Sequence, residues 1–417
     1  MAKKKAADQS GKSRLRVWAG RLGKLSLVGL VAIIGLWIAI HRVPWLGPAL
    51  ADGVRAVVGP GPVAWAEDVA YGIQDRVNLW RYKDAKPKTF WEVPADVPAV
   101  PTTAAAADTE PPFLPPPFVP PYDDVATGAD GIWVPVADPK HPQAPIGMFK
   151  SVVHPDKRRS FAALAVVAID PRSFELHLVA GTHEPHSMKV KREERPGMIP
   201  AGHRDKLYAA FNGGFKATHG HYGMLLQGVE YLPPRDIACT FARLEDGSFR
   251  IATWSKLKEQ AAPIHYYRQT PPCLVEDGDI HKVLNYNAAA KGWGATVAGE
   301  TIIRRSAVGL DEDRKILFYG LGEAMTAQAL ARGMKAAGVH SAAELDVNYS
   351  YPRFLFYEHC QDKGEPVAVS ALIPAIDFPE DQYVSRPSVR DFFYLTRASR
   401  STARAAGDPS SKLAAKD

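Results

Sequence analysis

The side chains with the clearest potential for chemistry in this sequence are two carboxylates separated by one residue. Glu344 and Asp346 flank Leu345 in a run, Ser341 to Val347, that predicts a strand. Because successive side chains of a strand point to opposite faces, both acids should share one face, with Cα atoms about 6.6 Å apart. Two carboxyl groups so placed can flank a glycosidic bond as general acid and second carboxylate. The alternative is a pair of acids on the solvent face of a strand.

An Asn-Gly-Gly turn is the second candidate feature. Asn212, Gly213 and Gly214 follow Leu207 to Phe211, a run typical of a strand. Glycines at the end of a strand allow backbone amides to face an anion such as phosphate. A plain turn is the alternative interpretation.

Arg305 is a candidate ligand for phosphate, because a guanidinium can hold two phosphate oxygens at once. Its neighbour Arg304 should point to the opposite face of the predicted strand Ile302 to Leu310, so only one of the two would face a site. An ordinary surface arginine is the alternative.

Two histidines, His219 and His221, follow the Asn-Gly-Gly turn closely enough to line the same pocket. Histidines at this spacing can bind a metal or act as general acid and base. No third ligand is identifiable from spacing, which favours a contact with substrate, or no role, over a zinc site.

Several common enzyme classes lack their motifs here. The sequence contains no Gly-rich Walker loop, no dinucleotide fingerprint and no Gly-x-Ser-x-Gly elbow. These absences argue against an ATPase, a dehydrogenase or a common serine hydrolase.

Two stretches together resemble the phosphodiester glycosidase family, whose members include a lysosomal enzyme that removes N-acetylglucosamine to uncover mannose 6-phosphate. The first stretch is Ala210-Phe211-Asn212-Gly213-Gly214-Phe215. The second comprises Arg305-Ser306-Ala307-Val308-Gly309-Leu310, the predicted strand Ile316 to Tyr319, Met325-Thr326 at the start of a helix, and Ala343-Glu344-Leu345-Asp346. The order and spacing of these motifs agree with the family from Asn212 to Ser350.

The sequence departs from the family at its Asp-Gly-Gly-Gly-Ser motif. Asp346 and Ser350 are kept, but Val347, Asn348 and Tyr349 replace the three glycines, and Glu344 stands where the family has Asn. Glycines permit positive φ and close approach of backbone to a ligand, for which Val is poorly suited. The departures therefore predict the family's fold with a changed pocket.

The resemblance implies a hydrolase that cleaves a sugar joined through its anomeric oxygen to phosphate. Its register selects Arg305 and the Asn212 turn as the phosphate ligands and Asp346 as acid, base or nucleophile at the anomeric carbon. Glu344, which the family does not share, is a candidate second carboxylate from its strand spacing alone. The remaining candidates for substrate contact are Gly213, Gly214, His219, His221 and Ser350. Envelope glycans, teichoic-type polymers and glycolipid phosphodiesters are the candidate substrates.

Two alternatives to an enzyme remain at this point. A non-catalytic module of the same fold could bind an envelope glycan or a partner protein, which the loss of the glycines favours. A structural envelope protein is the third interpretation. No cofactor is certain; if an ion is present, the oxygen-rich Asp346 and Asn348 favour calcium.

The net charge of +6 comes largely from the start of the chain. A basic cluster directly before an apolar segment stays on the cytoplasmic side of a membrane and contacts anionic headgroups. Residues 1–24 are therefore expected to be a cytoplasmic tail, and nucleic-acid binding is disfavoured because no basic face with aromatics follows. The cluster consists of Lys3, Lys4, Lys5, Lys12, Arg14, Arg16, Arg21 and Lys24.

The apolar segment that follows predicts a membrane anchor over residues 25–46. Leu25 to Ile40 carries no charge, and Trp45 follows at interfacial depth. The alternative is a cleaved signal peptide, since Ala49-Leu50-Ala51 has the small-x-small pattern. Its distance from the apolar run favours the anchor. Either way the rest of the chain is exported, to the periplasm or the cell exterior.

Composition divides the remaining chain into four parts. Residues 47–93 include a predicted helix with Trp65, Val69, Ile73, Val77 and Trp80 on one face. This helix either lies on the membrane or packs on the main domain, and packing is the expectation. Residues 94–130 are rich in Pro and Ala and predict a semi-rigid spacer. Residues 131–397 predict the folded domain, and residues 398–417 a disordered tail.

Within that domain the pattern predicts an α+β fold. Runs typical of strands, including Phe161 to Ile169 and Phe174 to Val179, alternate with turn signals and indicate a mixed, mostly antiparallel sheet. One helix is predicted after Thr326, ending at Gly338. The cysteines Cys239, Cys273 and Cys360 allow one disulfide or none, and an odd count leaves at least one thiol unpaired.

Overall fold

The computed structural model describes residues 57–83, 85–94, 111–260, 263–285, 292–293, 302–359 and 364–398, with scattered positions between 28 and 54. The chain divides into two compact units, residues 1–67 and 68–417. All strands of the described residues belong to the second unit. The predicted basic tail and the predicted C-terminal tail beyond residue 398 lie outside the described residues.

Short strands dominate the described part of the chain. Its α-helices are α1 (Pro60–Arg81), α2 (Ala201–Arg204), α3 (Trp254–Leu257) and α4 (Ala327–Ala336). Its strands are β1 (Val134–Pro135), β2 (Met148–Val153), β3 (Leu164–Ile169), β4 (Phe174–Val179), β5 (Leu207–Asn212), β6 (Met224–Leu226), β7 (Val229–Leu232), β8 (Cys239–Leu244), β9 (Phe249–Thr253), β10 (Ile264–Thr270), β11 (Val275–Glu276), β12 (Asp279–Ile280), β13 (Ile303–Leu310), β14 (Leu317–Met325), β15 (Ser341–Glu344), β16 (Phe354–His359), β17 (Pro366–Ala371) and β18 (Phe392–Arg397).

The strands form three sheets in the second unit. Their orders are β1-β2-β3-β14-β13-β15-β11-β12, β7-β6-β10-β8-β9 and β17-β16-β5-β18-β4. Neighbouring strands run antiparallel throughout these sheets. The predicted α+β class, with mostly antiparallel strands and few helices, is confirmed.

Two apolar cores occupy the two faces of the eight-stranded sheet. Along β13, Val308 belongs to the main core, which also includes Phe211 and Phe241 from the other two sheets. Ala307, one residue earlier, belongs to the helix-side core together with Leu330 of α4. This alternation is the two-residue period of a strand that is buried on both faces.

Helix α4 begins and ends where its capping residues predict. The side-chain oxygen of Thr326 accepts a hydrogen bond from the backbone N–H of Ala329, which satisfies one of the free donors of the first turn. At the other end, Gly338 adopts φ +94°, and the N–H of Val339 donates to the carbonyl of Met334. These contacts form a Schellman motif, so the last helical residue is Ala336 and the glycine follows it.

The predicted spacer packs against the domain over its second half. Phe113 and Phe149 rings lie 5.8 Å apart, and Phe118 and Trp133 rings 5.5 Å apart. The indole N–H of Trp133 donates to the carbonyl of Pro116 at 2.8 Å. Packing against the domain therefore begins before the predicted start at Gly131, because Phe113 is buried and Phe118 is half-buried. Residues 95–110 lie outside the described residues.

Helix α1 contacts the domain through the face opposite to the predicted one. Asp75 is buried and accepts hydrogen bonds from Arg159 Nε and Nη2 at 2.8 and 2.9 Å. Val69, Ile73 and Trp80, in contrast, are exposed. The expectation that the apolar face packs on the domain is wrong, because the buried ion pair fixes the polar face inward. The side chain of Trp65 lies outside the described residues.

The predicted anchor is largely untested. Most of residues 25–46 lie outside the described positions. Among the positions that the structure describes, no helix has both the length and the apolar character needed to cross a bilayer. The anchor stays a prediction.

One disulfide is present in the described residues. It joins Cys239, the first residue of β8, to Cys273, with Cα atoms 4.7 Å apart, and both cysteines lie in the main core. Of the two interpretations left open by the sequence, the structure supports the disulfide. Cys360 lies outside the described residues.

We expect Thr326→Ala to lower the free energy of unfolding by about 1 kcal/mol, because the substitution removes the N-cap oxygen of α4. Urea unfolding monitored by circular dichroism measures the change. Thr326→Ser keeps the oxygen and is the matched control. Equal losses in the two variants would contradict a capping role.

Candidate active site

A buried ion pair joins two of the predicted site residues. Arg305 on β13 lies two residues before Ala307, and Glu344 on β15 lies two residues after Ala342. Both alanines pack in the helix-side core, so Arg305 and Glu344 belong to that face of the sheet. Arg305 Nη1 donates to Glu344 Oε1 at 2.7 Å, and neither side chain is accessible to solvent. Strand alternation thus buries this acid, and the solvent-face alternative does not apply to it.

Backbone carbonyls accept further hydrogen bonds from the Arg305 guanidinium. Its Nε donates to the carbonyl of Met325 at 3.0 Å, and its Nη1 to the carbonyl of Trp293 at 2.6 Å. A phosphate that bound at Nε or Nη1 would have to exchange with these partners or with Glu344. The role of Arg305 as a phosphate ligand stays a prediction.

Glu344 has an electrostatic environment unlike that of a surface acid. Burial raises its pKa to about 7, and the positive charge of Arg305 opposes the rise. Its second oxygen, Oε2, has no hydrogen-bond partner among the described residues. A buried carboxyl oxygen without a donor favours the protonated, neutral form. This side chain can therefore hold a proton near neutral pH.

Asp346 has a different arginine partner, which sequence reasoning missed. Its carboxylate forms an ion pair with Arg390, and Asp346 is only 1% exposed. The Arg390 guanidinium also lies over the ring of Tyr351, 4.7 Å from its centre. Each of the two predicted carboxylates is thus paired with its own arginine, Glu344 with Arg305 and Asp346 with Arg390.

The Asn-Gly-Gly turn faces a carboxylate of the protein itself. The N–H of Gly214 donates to Asp391 Oδ2 at 2.9 Å, and the N–H of Gly213 to the Asp391 carbonyl at 2.9 Å. Arg268 on β10 completes the arrangement, since its Nε donates to the same Oδ2 at 2.8 Å. The Gly214 amide thus faces the Asp391 carboxylate, whereas the Gly213 amide faces a backbone carbonyl.

Close packing, rather than unusual dihedral angles, explains both glycines. A Cβ atom on Gly213 would stand 2.3 Å from Asp391 Oδ2, and one on Gly214 would stand 2.7 Å from Arg268 Cζ. Neither glycine has a positive φ. Any side chain at these positions would displace the buried Arg268–Asp391 pair.

Asn212 ties the turn to the neighbouring sheet. Its Nδ2 donates to Ser306 Oγ at 2.9 Å, and its Oδ1 accepts from the Tyr319 hydroxyl at 2.8 Å. The Ser306 hydroxyl in turn donates to the carbonyl of Asp346 at 3.2 Å, and the Asp346 N–H donates to the carbonyl of Gly213 at 3.0 Å. These bonds hold the turn and Asp346 side by side, as the family resemblance implies.

The loop that replaces the family's glycines has ordinary backbone geometry. Residues 347–349 have no positive φ, which is compatible with Val347. Asn348 Oδ1 accepts hydrogen bonds from the backbone N–H and the hydroxyl of Ser350, each at 2.9 Å. Ser350 therefore caps a local turn, and its contact with substrate stays a prediction.

The predicted calcium ligands do not fit a cation. The Asp346 carboxylate is engaged by Arg390, and the Asn348 carbonyl oxygen is engaged by Ser350. Within the ranges that the structure describes, no three or more His, Cys, Asp or Glu side chains group as a metal site. We derive no metal-dependent step.

The two predicted histidines lie in an exposed segment. His219 and His221 are both accessible to solvent, while the next residue, Tyr222, is half-buried. Burial raises the pKa of Tyr222, Arg235 opposes that rise, and the negative charge of Glu344 adds to it. Tyr222 thus links this segment electrostatically to the buried pair. The histidines' role as substrate contacts stays a prediction.

The structure therefore joins Asn212, the two glycines and Asp346 into one network, and places Arg305 with Glu344 in a second. Three residues of these networks were missed by sequence analysis: Arg268, Arg390 and Asp391. A signal for them exists in hindsight. Arg268 is a charge within the aromatic strand β10, and Arg390-Asp391 directly precedes the aromatic start of β18. A charge bordering a buried strand needs a partner.

One family model matches part of the chain. Residues 205–347 match the family model described as phosphodiester glycosidase. The matched segment runs from the residues before β5 to the loop after β15, and so contains every predicted site residue except Ser350. It excludes Arg390 and Asp391. No curated protein matches the chain.

Three solved structures are similar to the chain at low identity. The catalytic domain of zebrafish N-acetylglucosamine-1-phosphodiester alpha-N-acetylglucosaminidase, auto-inhibited by its pro-peptide, has 17% identity and a TM-score of 0.39, covering 64% of this chain and 88% of its own. A hypothetical protein from Synechocystis has 11% identity and a TM-score of 0.39, covering 62% and 65%. A protein of Burkholderia pseudomallei described as exported has 10% identity and a TM-score of 0.27, covering 56% and 74%.

The raised pKa of Glu344 predicts a pH-dependent stability. An acid whose pKa is higher in the folded than in the unfolded chain stabilises the fold below its unfolded pKa, and this contribution is lost as pH rises through the folded value. For Glu344 the window runs from a pKa of 4.5 in the unfolded chain to about 7 in the folded one. We expect the free energy of unfolding of the native protein to fall across this window by up to ~3 kcal/mol relative to Glu344→Gln.

Urea unfolding of both proteins at a series of pH values measures this difference. Because other titrating groups are common to both proteins, the difference isolates Glu344. A constant difference between pH 4 and pH 8 would contradict the raised pKa.

Proposed function

We propose that this protein is an exported, membrane-anchored hydrolase that cleaves the glycosidic bond of a sugar-1-phosphodiester in an envelope glycan or glycolipid. The observation that carries the proposal is the match of residues 205–347 to the phosphodiester glycosidase model, whose segment contains both buried carboxylates. The disulfide between Cys239 and Cys273 supports an oxidising compartment.

The two carboxylates have environments suited to different roles. Glu344, with a pKa raised to about 7, retains a proton near neutral pH and can donate it to the leaving phosphate oxygen. Asp346 is paired with the Arg390 guanidinium, and as a carboxylate it can act as base or nucleophile at the anomeric carbon. The bond between the anomeric carbon and the phosphate oxygen breaks, water supplies the new hydroxyl of the sugar, and the phosphate keeps one proton.

Guanidinium groups near these acids supply positive charge for a phosphate. Arg305 and Arg390 each contact one of the carboxylates. A phosphate entering the site would compete for them, which would free the carboxylates to act on the sugar. Because Asp346 is 1% exposed, turnover requires the Arg390–Asp346 pair to open.

The burial of the site favours one second candidate, a binding module of the same fold without turnover. In this candidate the three arginine–carboxylate pairs are structural, and a glycan or partner binds elsewhere on the domain. The engagement of Arg305 Nε and Nη1 by Glu344 and two carbonyls is the observation in its favour.

The two candidates differ in their response to Asp346→Asn. If the protein is a hydrolase, we expect kcat for a sugar-1-phosphodiester to fall by roughly 100-fold or more, because the amide cannot act as base or nucleophile. Release of free sugar by the full chain, tested against a panel of sugar-1-phosphodiesters, measures this effect.

Asp313→Asn is the control, since Asp313 is an exposed acid paired only with Lys315 at 3.0 Å among the described residues. It should leave turnover unchanged. Full activity of a folded Asp346→Asn variant would refute the role of Asp346. No turnover by the native chain on any substrate, with retained glycan binding, would support the binding module.

A further inference from the structure

Helix α1 exposes a continuous row of apolar side chains in the second unit. Val69, Ile73, Val77 and Trp80, at spacings of four, four and three residues, lie on one face and are 42%, 54%, 51% and 81% exposed. We refer to these four residues as the apolar stripe. A helix of a soluble domain ordinarily turns such a stripe towards the core, and contiguous exposed apolar surface marks an interaction site.

The orientation of α1 is fixed by charge on its other face. The Arg159 guanidinium is held between Asp75 of the helix and Asp156 of the domain, at 2.8 and 3.0 Å, and all three residues are buried. Next to the end of the helix, the rings of Tyr82 and Phe161 lie 5.4 Å apart. Rolling α1 to bury the stripe would break both hydrogen bonds from Arg159 to Asp75 and leave the buried guanidinium with Asp156 as its carboxylate partner, which is unfavourable. The stripe is therefore held outward.

The charges beside the stripe are positive. Arg76 and Arg81 are exposed and, from the helical periodicity, lie on either side of it. Among the side chains of α1 that the structure describes, the acidic one is Asp75. It lies on the face opposite to the apolar stripe, where it is paired with Arg159. An apolar stripe with arginines along its edges is complementary to lipid, whose acyl chains accept the stripe and whose phosphates accept the guanidinium groups.

Two further features favour lipid over a second protein surface. Trp80, the most exposed residue of the stripe, has the amphipathic indole that is enriched at membrane interfaces. The segment predicted to span a membrane, residues 25–46, ends only 13 residues before Pro60. A second copy of the chain would place its own two arginines beside those of the first. Among the described side chains that flank the stripe, no acid is present to pair with these arginines.

We propose that α1 binds the surface of an anionic lipid bilayer, with the apolar stripe inserted at the acyl boundary and Arg76 and Arg81 on lipid phosphates. This interaction would fix the domain at the bilayer surface, whatever the fate of the preceding segment. It does not depend on the proposed function.

The full chain reconstituted into vesicles tests this proposal. The probe is phosphatidylcholine with brominated acyl chains, which quenches tryptophan at the acyl boundary, used with and without phosphatidylglycerol. The contribution of Trp80 is the difference in fluorescence between the native chain and Trp80→Phe. We expect the fluorescence of Trp80 to be quenched in vesicles with phosphatidylglycerol, and to be quenched markedly less in vesicles without phosphatidylglycerol.

Variants on the helix surface sharpen the test. Two arginines near an anionic surface contribute roughly thirtyfold to a binding equilibrium. The gain in binding that phosphatidylglycerol gives should therefore fall roughly thirtyfold when Arg76→Gln is combined with Arg81→Gln. Ile73→Ser combined with Val77→Ser should abolish quenching. All four positions are exposed, so folding should be unaffected. Gln74→Ala, another exposed position, is the matched control and should change nothing.

The same experiment identifies the results that would overturn the proposal. The difference between the native chain and Trp254→Phe reports a tryptophan on α3, away from α1, and should show no lipid-dependent quenching. No quenching of Trp80 in either vesicle, or quenching that ignores both phosphatidylglycerol and the arginines, would refute anionic-lipid binding. A disulfide-linked dimer formed by Ile73→Cys, with Trp80 unquenched, would assign the stripe to a second copy.

Discussion

The central constraint on this domain is that each charge buried near the middle of its sheets needs a partner of opposite sign. Three guanidinium groups, those of Arg268, Arg305 and Arg390, pair with carboxylates where solvent is excluded or nearly so. Removing either partner of such a pair leaves an uncompensated charge, whose cost is about 3–5 kcal/mol. The positions of β5, β10, β13 and β15 must therefore agree closely at this point.

The glycines of the turn illustrate how the backbone adapts to this constraint. Gly213 and Gly214 leave no room for a Cβ, because Asp391 and Arg268 pack directly on them. The same contacts satisfy both backbone amides. A motif whose sequence suggests a phosphate cradle is thus, in this structure, filled by a carboxylate of the chain, and any phosphate would have to compete with it.

Local patterns predicted much of the fold. The strands β4 and β5 and the N-cap at Thr326 follow from neighbours within a few residues. The partners that define the site do not, because Asp391 is 123 residues from Arg268. The predicted orientation of α1 was wrong for the same reason. The interaction that determines this orientation, between Asp75 and Arg159, joins residues 84 positions apart. Periodicity finds an apolar face but cannot tell whether an ion pair turns it outward.

The place of Arg390 and Asp391 in the chain has a consequence for biosynthesis. Both residues directly precede β18, which inserts between β5 and β4. While the chain is emerging from the ribosome, Arg268 and Asp346 are made before their counter-ions, which lie 123 and 44 residues further along the chain. The sheets cannot close around these charges until residues 390–397 have emerged, so the domain should remain open until that segment has been made.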